Sequence, residues 1–550
     1  MKKLYFTIVF TVLILPIFYI SLCINFDLDI FTSFDVLFRV LNALLNLDSL
    51  NSKVYVSLII ALSPLIIFIS INILNATKKD YGYARFSSIL DVKKMGFNFK
   101  DGFCLGIFKR KKLYIKDNLG ILVIASPGTG KTSSIVIPNL LTIKHSCIVL
   151  DIKGELENKT SKYRSQVLKN DVYVFSPYNQ NINNFNFNPF DKDILDSLEF
   201  NEILRLVKEV ANVLFKDNKN SDPHWNQNAR KLFIFFCMYD ISKNGYTTFY
   251  KVMRYPMMDE DELLDKNYLK KSQKEKEDLK DKYSVLQLFF KQVSNDKSIE
   301  ELIVDMARGF NRFNEREFKS IVSTFSIKLE VFEDKTIANS TQKMSFSYEE
   351  LRKKNITLYI CVNEKDVVTL SSLIQIIIEL IGKNLISKEN SIKNERVTFF
   401  LDEFTRFKKL DFLLELPSIS RSYNIQPIFL TQTEAQIEKN YSSEDLRIIS
   451  GSCQYKIIFT INDIKTAQNL SNEIGSFTRQ KVSSSSPEMK VFGSKNKTLE
   501  KYSLLTPQDL QNIPKDELII TVFGNKAKPI KCKANYWFKN RKFRKVIKGY

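Results

Sequence analysis

Histidine is almost missing from this chain of 550 residues: His145 and His224 are the only two. A His-rich zinc site or a Ser-His-Asp triad therefore has little to draw on. Cysteine is sparse and scattered. Cys23, Cys104, Cys147, Cys237, Cys361, Cys453 and Cys532 form no CxxC pair, and an odd, dispersed set is not a disulfide framework. Such usage fits a reducing compartment. No internal repeat is present, which excludes solenoids and propellers. Acidic residues are short relative to basic ones, 61 against 81, leaving a net charge of +20. That excess attracts polyanions, either nucleic acid or anionic lipid, although a Lys-rich surface also serves simple solubility. The 44% apolar content supports a large core and excludes a disordered chain, and the length suits two or three domains.

Two apolar runs stand out. Leu4–Ile24 and Val54–Leu74 each hold 21 residues without a charge. At about 1.5 Å per residue either is long enough for a hydrocarbon core of roughly 30 Å. The first has no small-x-small cleavage site and is too long for a signal peptide. Leu22 stands where a lipoprotein site at Cys23 would need a small residue. Lys2 and Lys3 precede the first run, Lys78 and Lys79 follow the second, and the loop between holds Asp27, Asp29, Asp35 and Asp48 against Arg39 and Lys53. The positive-inside rule then predicts a two-pass hairpin in a bacterial inner membrane with both termini cytoplasmic. Residues 30–45 are amphipathic at helical spacing and suit a membrane surface or a partner.

From about Asn75 the pattern is α/β. Apolar runs at Gly120–Ala125, Cys147–Leu150, Val172–Phe175, Thr357–Val362, Val397–Leu401, Pro427–Thr431 and Tyr455–Thr460 alternate with helical patterns, which predicts a mostly parallel sheet. Between Lys192 and Thr336 the periodicity is helical throughout, as in Phe200–Phe215, Trp225–Ser242, Ser284–Val293 and Ile299–Gly309, and reads as an all-α insertion. Lys266–Lys282 reads as a solvated helix or loop, and the polar stretch Thr478–Ser503 as a loop.

The sharpest motif runs from Gly120 through Ala125-Ser126-Pro127-Gly128-Thr129-Gly130-Lys131-Thr132 into Ser133. A strand pattern enters a Gly-rich turn and a helix pattern leaves it, as a P-loop requires. Backbone N–H groups of Ser126 to Ser133 would cradle phosphates, aided by the helix N-terminus. Lys131 would reach the β- and γ-phosphates of ATP, and the Thr132 hydroxyl would ligate Mg²⁺. Ala125 stands where the first glycine of the motif is expected. The run Val397–Leu401 ends in Asp402 and Glu403: Asp402 would hold Mg²⁺ and Glu403 would orient or deprotonate the attacking water. Gln432 follows the strand Pro427–Thr431, and Arg421 lies near a helix end. From their surroundings alone both read as surface residues.

At these residues the sequence resembles the type IV secretion coupling proteins, the TraG/TraD-like conjugation ATPases. Further segments carry the likeness: Tyr81–Phe86, Ile137–Leu141, Leu150–Glu155 with Thr160 and Tyr163-Arg164, Asn186–Pro189, Trp225 with Ala229-Arg230, Asn462-Asp463 with Thr466-Ala467, and Leu505–Pro507. The resemblance implies a RecA-like domain over 76–191 and 337–550, an all-α insertion over 192–336, and a transmembrane hairpin with a short periplasmic loop over 1–75. It implies a homo-hexamer around a channel, with Arg421 as an arginine finger acting on a neighbouring subunit and Gln432 as a phosphate sensor. The implied partners are a relaxase with single-stranded DNA or effector proteins, and the inner-membrane components of the secretion system. Two other classes fit less well: a docking receptor that binds nucleotide without motor activity, and a chromosome-segregation DNA pump of the FtsK type. Intact Lys131, Asp402 and Glu403 weigh against the first. The second has more spans and a separate DNA-reading domain after its motor. The basic tail Lys539–Tyr550 has no assigned place in the resemblance.

Overall fold

A computed structural model describes residues 2–30, 33–46, 51–76, 81–216, 223–265, 268, 270–280, 282–386, 395–407, 409–484 and 495–549. The chain divides into two compact units. One comprises Met1–Tyr83 with Ser476–Tyr502, the other Ala84–Gly475 with Ser503–Tyr550.

In the first unit, helices α1 (Lys2–Asn25), α2 (Phe34–Leu45) and α3 (Ser52–Ala76) cover the two apolar runs and the amphipathic segment between them. Phe18, Tyr19, Leu22, Leu37, Val54 and Ala61 form a small core where the three helices meet. Asn25 Nδ2 donates to Ser57 Oγ at 2.8 Å, and the Tyr19 hydroxyl donates to the Ile30 carbonyl at 2.7 Å. Parts of both predicted spans, residues 4–13, 68 and 71–74, lie outside the residues whose side chains are described, as do Lys78 and Lys79. Among the described residues no helix is long and apolar enough to cross a membrane.

The predicted loop Thr478–Ser503 is instead a two-stranded sheet of β10 (Ser476–Ser484) and β11 (Lys495–Ser503), with residues 485–494 outside the description. Its strands are held by polar and aromatic pairs: Lys481 with Glu500 at 3.3 Å, and Phe477 beside Tyr502 with centroids 6.2 Å apart. A strand polar on both faces lacks the apolar alternation by which strands are read from sequence, so the prediction failed there. The hairpin joins this unit through Tyr81, whose N–H donates to Thr478 Oγ1 at 2.9 Å, and a bridge between Tyr83 and Phe477.

The second unit is built on one sheet of eleven strands in the order β2-β1-β13-β12-β9-β3-β8-β7-β4-β6-β5. Seven are mutually parallel: β3 (Ile121–Ile124), β4 (Ser146–Asp151), β5 (Asp171–Phe175), β6 (Ile356–Cys361), β7 (Val397–Asp402), β8 (Ile425–Thr431) and β9 (Tyr455–Ile458). They coincide with the seven predicted runs, because a strand covered on both faces is apolar at most positions. The other four, β1 (Phe103–Phe108), β2 (Lys111–Ile115), β12 (Glu517–Val522) and β13 (Ile530–Lys533), extend the sheet antiparallel beyond β9. Lysines alternate with buried residues in β13, and β2 opens on the consecutive Lys111 and Lys112, so neither shows a continuous run.

Side chains of β3 alternate between two cores, as a pleated strand requires. Ile121 and Val123 face a core with Ile135, Val136 and Leu140 of the segment after the P-loop. Leu122 and Ile124 face the other, which is continuous with Phe233, Phe236, Phe290 and Phe325 of the helical segment. Every described element from Lys192 to Ser340 is helical, and the core of the segment is continuous with that on one face of the sheet.

Candidate functional site

The parallel strands all end on the same side, so the residues that follow β3, β8, β7 and β4 meet at one edge, where ligands bind in open α/β sheets. Ser126–Thr132 follows β3, Gln432 follows β8, Asp402-Glu403 closes β7, and Asp151–Glu155 follows β4. Together they line a cleft of about 270 Å³.

The turn after β3 has the conformation its glycines allow. Gly128 and Gly130 have φ of +74° and +98°, left-handed values that favour residues without Cβ. A Cβ on Gly128 would meet nothing within 4 Å, so that side of the turn is open to a ligand. Ala125 does not need a glycine's freedom: its φ is not positive, it is fully buried, and its N–H donates to the Thr431 carbonyl at 3.1 Å. Ser126, Pro127, Gly128, Gly130, Lys131, Thr132 and Ser133 line the cleft. Thr129 faces inward, donating from Oγ1 to the Ser126 carbonyl at 2.7 Å. The helix that follows opens with a π-helical turn over Thr132–Val136. Pro138, with no N–H to return to that turn, stands just after it. Asn139 anchors the helix to β1 by exchanging hydrogen bonds with Cys104, 2.7 Å to its N–H and 2.9 Å to its carbonyl.

Charge converges on Lys131. Its Nζ lies 3.3 Å from Asp402 Oδ1 and 3.6 Å from Glu403 Oε1. Thr132 Oγ1 donates to Asp402 Oδ2 at 3.4 Å, and Gln432 Nε2 donates to Glu403 Oε1 at 3.1 Å. Arg406 holds Glu403 from the other side at 3.4 Å. Burial raises the pKa of Asp402 above the ordinary carboxylate range, and the charge of Glu403 adds to the rise against the opposing Lys131. Burial also acts to raise Glu403, but Lys131, the Gln432 hydrogen bond and Arg406 outweigh it and hold its pKa below the usual value. Glu403 is therefore ionised at neutral pH and able to orient or accept a proton from water. Its backbone is left-handed, with φ of +50°, a conformation that costs a non-glycine residue about 1 kcal/mol or more and clusters at functional sites.

The donors fit a nucleotide with Mg²⁺. Lys131 Nζ and Asp402 Oδ1 are buried with no hydrogen-bond partner beyond the ion pairs Lys131 makes with Asp402 and Glu403, a cation and an anion in the cleft wall. Among the described residues no cluster of three His, Cys, Asp or Glu could hold a metal unaided. Thr132 and Asp402 supply two oxygens, which suits an ion that keeps waters and shares phosphate oxygens.

Three charged cleft residues were not predicted as site residues: Asp151, Lys153 and Glu155, flanked in the lining by Ile152 and Leu156. Their signal was present in the Leu150–Glu155 motif directly after a buried strand. Burial pushes the Asp151 carboxyl up to about 6, with the charge of Asp402 adding to it. Arg421 does not join the cleft. It is exposed in the turn before β8, where Asn118 Nδ2 donates to its carbonyl at 3.4 Å. The length of β8, seven residues or roughly 20 Å, separates it from Gln432. Arg421 therefore cannot act on the nucleotide of its own chain. Tyr536 had no sequence signal at all. Its hydroxyl donates to the Thr129 carbonyl at 3.0 Å and also meets the Lys515 carbonyl, and its ring closes the face of Gly130 away from the cleft.

Residues 84–550 match the family described as type IV secretory system conjugative DNA transfer. The chain belongs to this family. Protein VirD4 of Rhizobium radiobacter is 24% identical over 443 residues, covering 78% of this chain and 58% of that protein. Conjugal transfer protein TraG of Escherichia coli is 24% identical over 417 residues, covering 72% and 62%. The chain thus spans about three-fifths of the length of these relatives. The fold is that of the bacterial conjugative coupling protein TrwBdeltaN70 in its unbound form, with a TM-score of 0.56 at 13% identity over 83% of this chain and 95% of that one. TrwB in complex with ADP and Mg²⁺ gives a TM-score of 0.56 at 13% identity over 84% and 95%. The second unit accordingly has the α/β fold of TrwB, built on a mixed, mostly parallel sheet.

Proposed function

We propose that this chain is the ATP-driven coupling subunit of a type IV secretion or conjugation system. The observation that carries the reading is the convergence of Lys131, Thr132, Asp402, Glu403 and Gln432 from three adjacent parallel strands on one cleft. ATP would lie along the turn Ser126–Ser133 with Lys131 released from its two carboxylates to the phosphates. Glu403, held by Gln432 and Arg406, would align the attacking water. Bound Mg²⁺, held by Thr132 and Asp402, would neutralise charge developing on the phosphates. Because Arg421 stands far from its own cleft, its role belongs to a neighbouring subunit, which supports a homo-hexamer with nucleotide between subunits. TrwB has been solved with ADP and Mg²⁺ and with an ATP analogue, which supports ATP as the ligand here.

Helices α1 and α3 would anchor the chain in a bacterial inner membrane, two-pass, with both termini cytoplasmic, beside the inner-membrane components of the secretion system. The cargo would be a relaxase with single-stranded DNA, or effector proteins. The test is ATP turnover by the full chain in detergent, with and without single-stranded DNA, beside Lys131→Ala and Glu403→Gln. Turnover that DNA accelerates and that falls by about a hundredfold or more in folded Glu403→Gln supports the reading. A folded protein that binds ATP but never hydrolyses it is a docking receptor, and the motor reading fails.

A further inference from the structure

The basic tail has a place in the fold. From Ile530 to Tyr550 the sequence holds eight basic residues and no acidic one. Its last part is a helix, Arg541–Gly549. Phe543 is buried and Val546 and Ile547 are partly buried against a core that includes Leu156 and Tyr163 of the helix Glu155–Gln166, which leaves Arg541, Lys542, Arg544, Lys545 and Lys548 exposed. The turn between β1 and β2 lies next to it: Lys112 Nζ sits 5.1 Å from the centre of the Phe543 ring. That turn is Lys109-Arg110, within four consecutive basic residues, Lys109–Lys112. The two lysines of β13 have carboxylate partners in Glu517 and Asp516. Among the described residues no carboxylate pairs with the cations of the turn or of the helix.

The turn itself is costly. Lys109 and Arg110 have φ of +45° and +70°, the left-handed pair of a two-residue hairpin in which Asn-Gly is the favoured sequence. Two long cations held there forgo stability of about 1 kcal/mol each, and such outliers persist where the side chains have a use.

We propose that the β1–β2 turn and the helix Arg541–Gly549 form a binding surface for the phosphodiester backbone of single-stranded nucleic acid. The inference rests on the cargo reading above and deepens it by naming a surface. Two observations favour nucleic acid over a lipid surface. The apolar side chains of the helix are packed against the core, so it has no free face to insert between lipids. Phe538, 43% exposed, stacks on Tyr536 with centroids 4.9 Å apart at the start of the basic run. An exposed ring beside a line of cations is the arrangement on which unpaired bases stack. The platform is fixed, because the Tyr536 hydroxyl is bonded to the Thr129 carbonyl.

The test uses the full chain in nanodiscs of phosphatidylcholine and a fluorescent oligothymidylate, with affinity measured across a salt series. The variant R110A/K542A/R544A/K545A is compared with wild type and with a charge-matched control, K93A/K94A/K100A/K162A. Each lost phosphate contact lowers the salt slope by about 0.7, so the variant should lose about 2 to 3 in slope and at least tenfold in affinity, while the control keeps both. Equal binding by variant and wild type, or an equal loss in the control, overturns the proposal. A difference that emerges only when phosphatidylglycerol is added to the discs assigns the surface to lipid headgroups and also overturns it. If wild type itself binds no oligonucleotide, the single-stranded cargo reading falls with the surface, whereas equal binding by variant and wild type removes only the surface.

Discussion

Gly130→Ala isolates a contact that joins the two ends of the second unit. The φ of Gly130 is +98°, where an L-residue is strained by about 1–2 kcal/mol. The added Cβ would stand 2.4 Å from Cε1 of Tyr536, far inside van der Waals contact. The ring has little room to withdraw, since it stacks on Phe538 at 4.9 Å and its hydroxyl bonds the Thr129 carbonyl. Overpacking of this kind adds about 1–3 kcal/mol. The turn must then shift, and a distortion of about 2 kcal/mol weakens nucleotide binding roughly thirtyfold. The assay is titration of a fluorescent ATP analogue with Mg²⁺, alongside thermal melting to confirm folding. Adding Tyr536→Ala to the variant removes the steric part and leaves the backbone strain, so about half of the lost binding energy should return. Wild-type affinity in Gly130→Ala would refute the reasoning, and no recovery in the double variant would refute the role of Tyr536.

Three further outcomes are expected. Asp151, with its folded pKa raised to about 6, binds its proton more tightly when folded, so stability falls as pH rises from about 4 to about 6 by up to about 3 kcal/mol. Burial pushes His145 down to about 3, which acts in the opposite sense over the same window, so melting of Asp151→Asn against wild type isolates the carboxyl; parallel pH profiles would remove its effect. Arg164 is fully buried and donates to the carbonyls of Leu140, Ile143 and His145 and to Thr357 and Asn170, at 2.6 to 3.0 Å. Arg164→Met strands those acceptors and should cost about 3 kcal/mol in chemical denaturation, and Arg164→Lys, with one ammonium for five acceptors, should not rescue it. Arg421→Ala should leave nucleotide affinity unchanged and slow turnover of the assembled protein about a thousandfold; a change in affinity without one in turnover would place it elsewhere.

Much of the site was legible because its signals are local. Gly128-Thr-Gly-Lys131 encodes its own turn, and Asp402-Glu403 follows directly on a strand buried at nearly every position. The parallel strands were legible for the same reason, since burial on both faces leaves a continuous apolar run. Asp151, Lys153 and Glu155 sat in a motif that was read but not assigned to the cleft, because nothing local says that β4 ends beside β7.

What the tertiary structure alone decided depends on strand order. It sets Tyr536 against Gly130 across some four hundred residues, and places Arg421 at the opposite end of the sheet from Gln432. It converts a polar stretch into the β10–β11 hairpin, seats the basic tail beside the β1–β2 turn, and gives the helical segment a core shared with the sheet. Sequence by itself determines which residues must be buried and which turns can form, since burial and dihedral preference act on neighbours. Which buried surfaces and turns then meet is a property of packing between distant elements, and no single segment carries it.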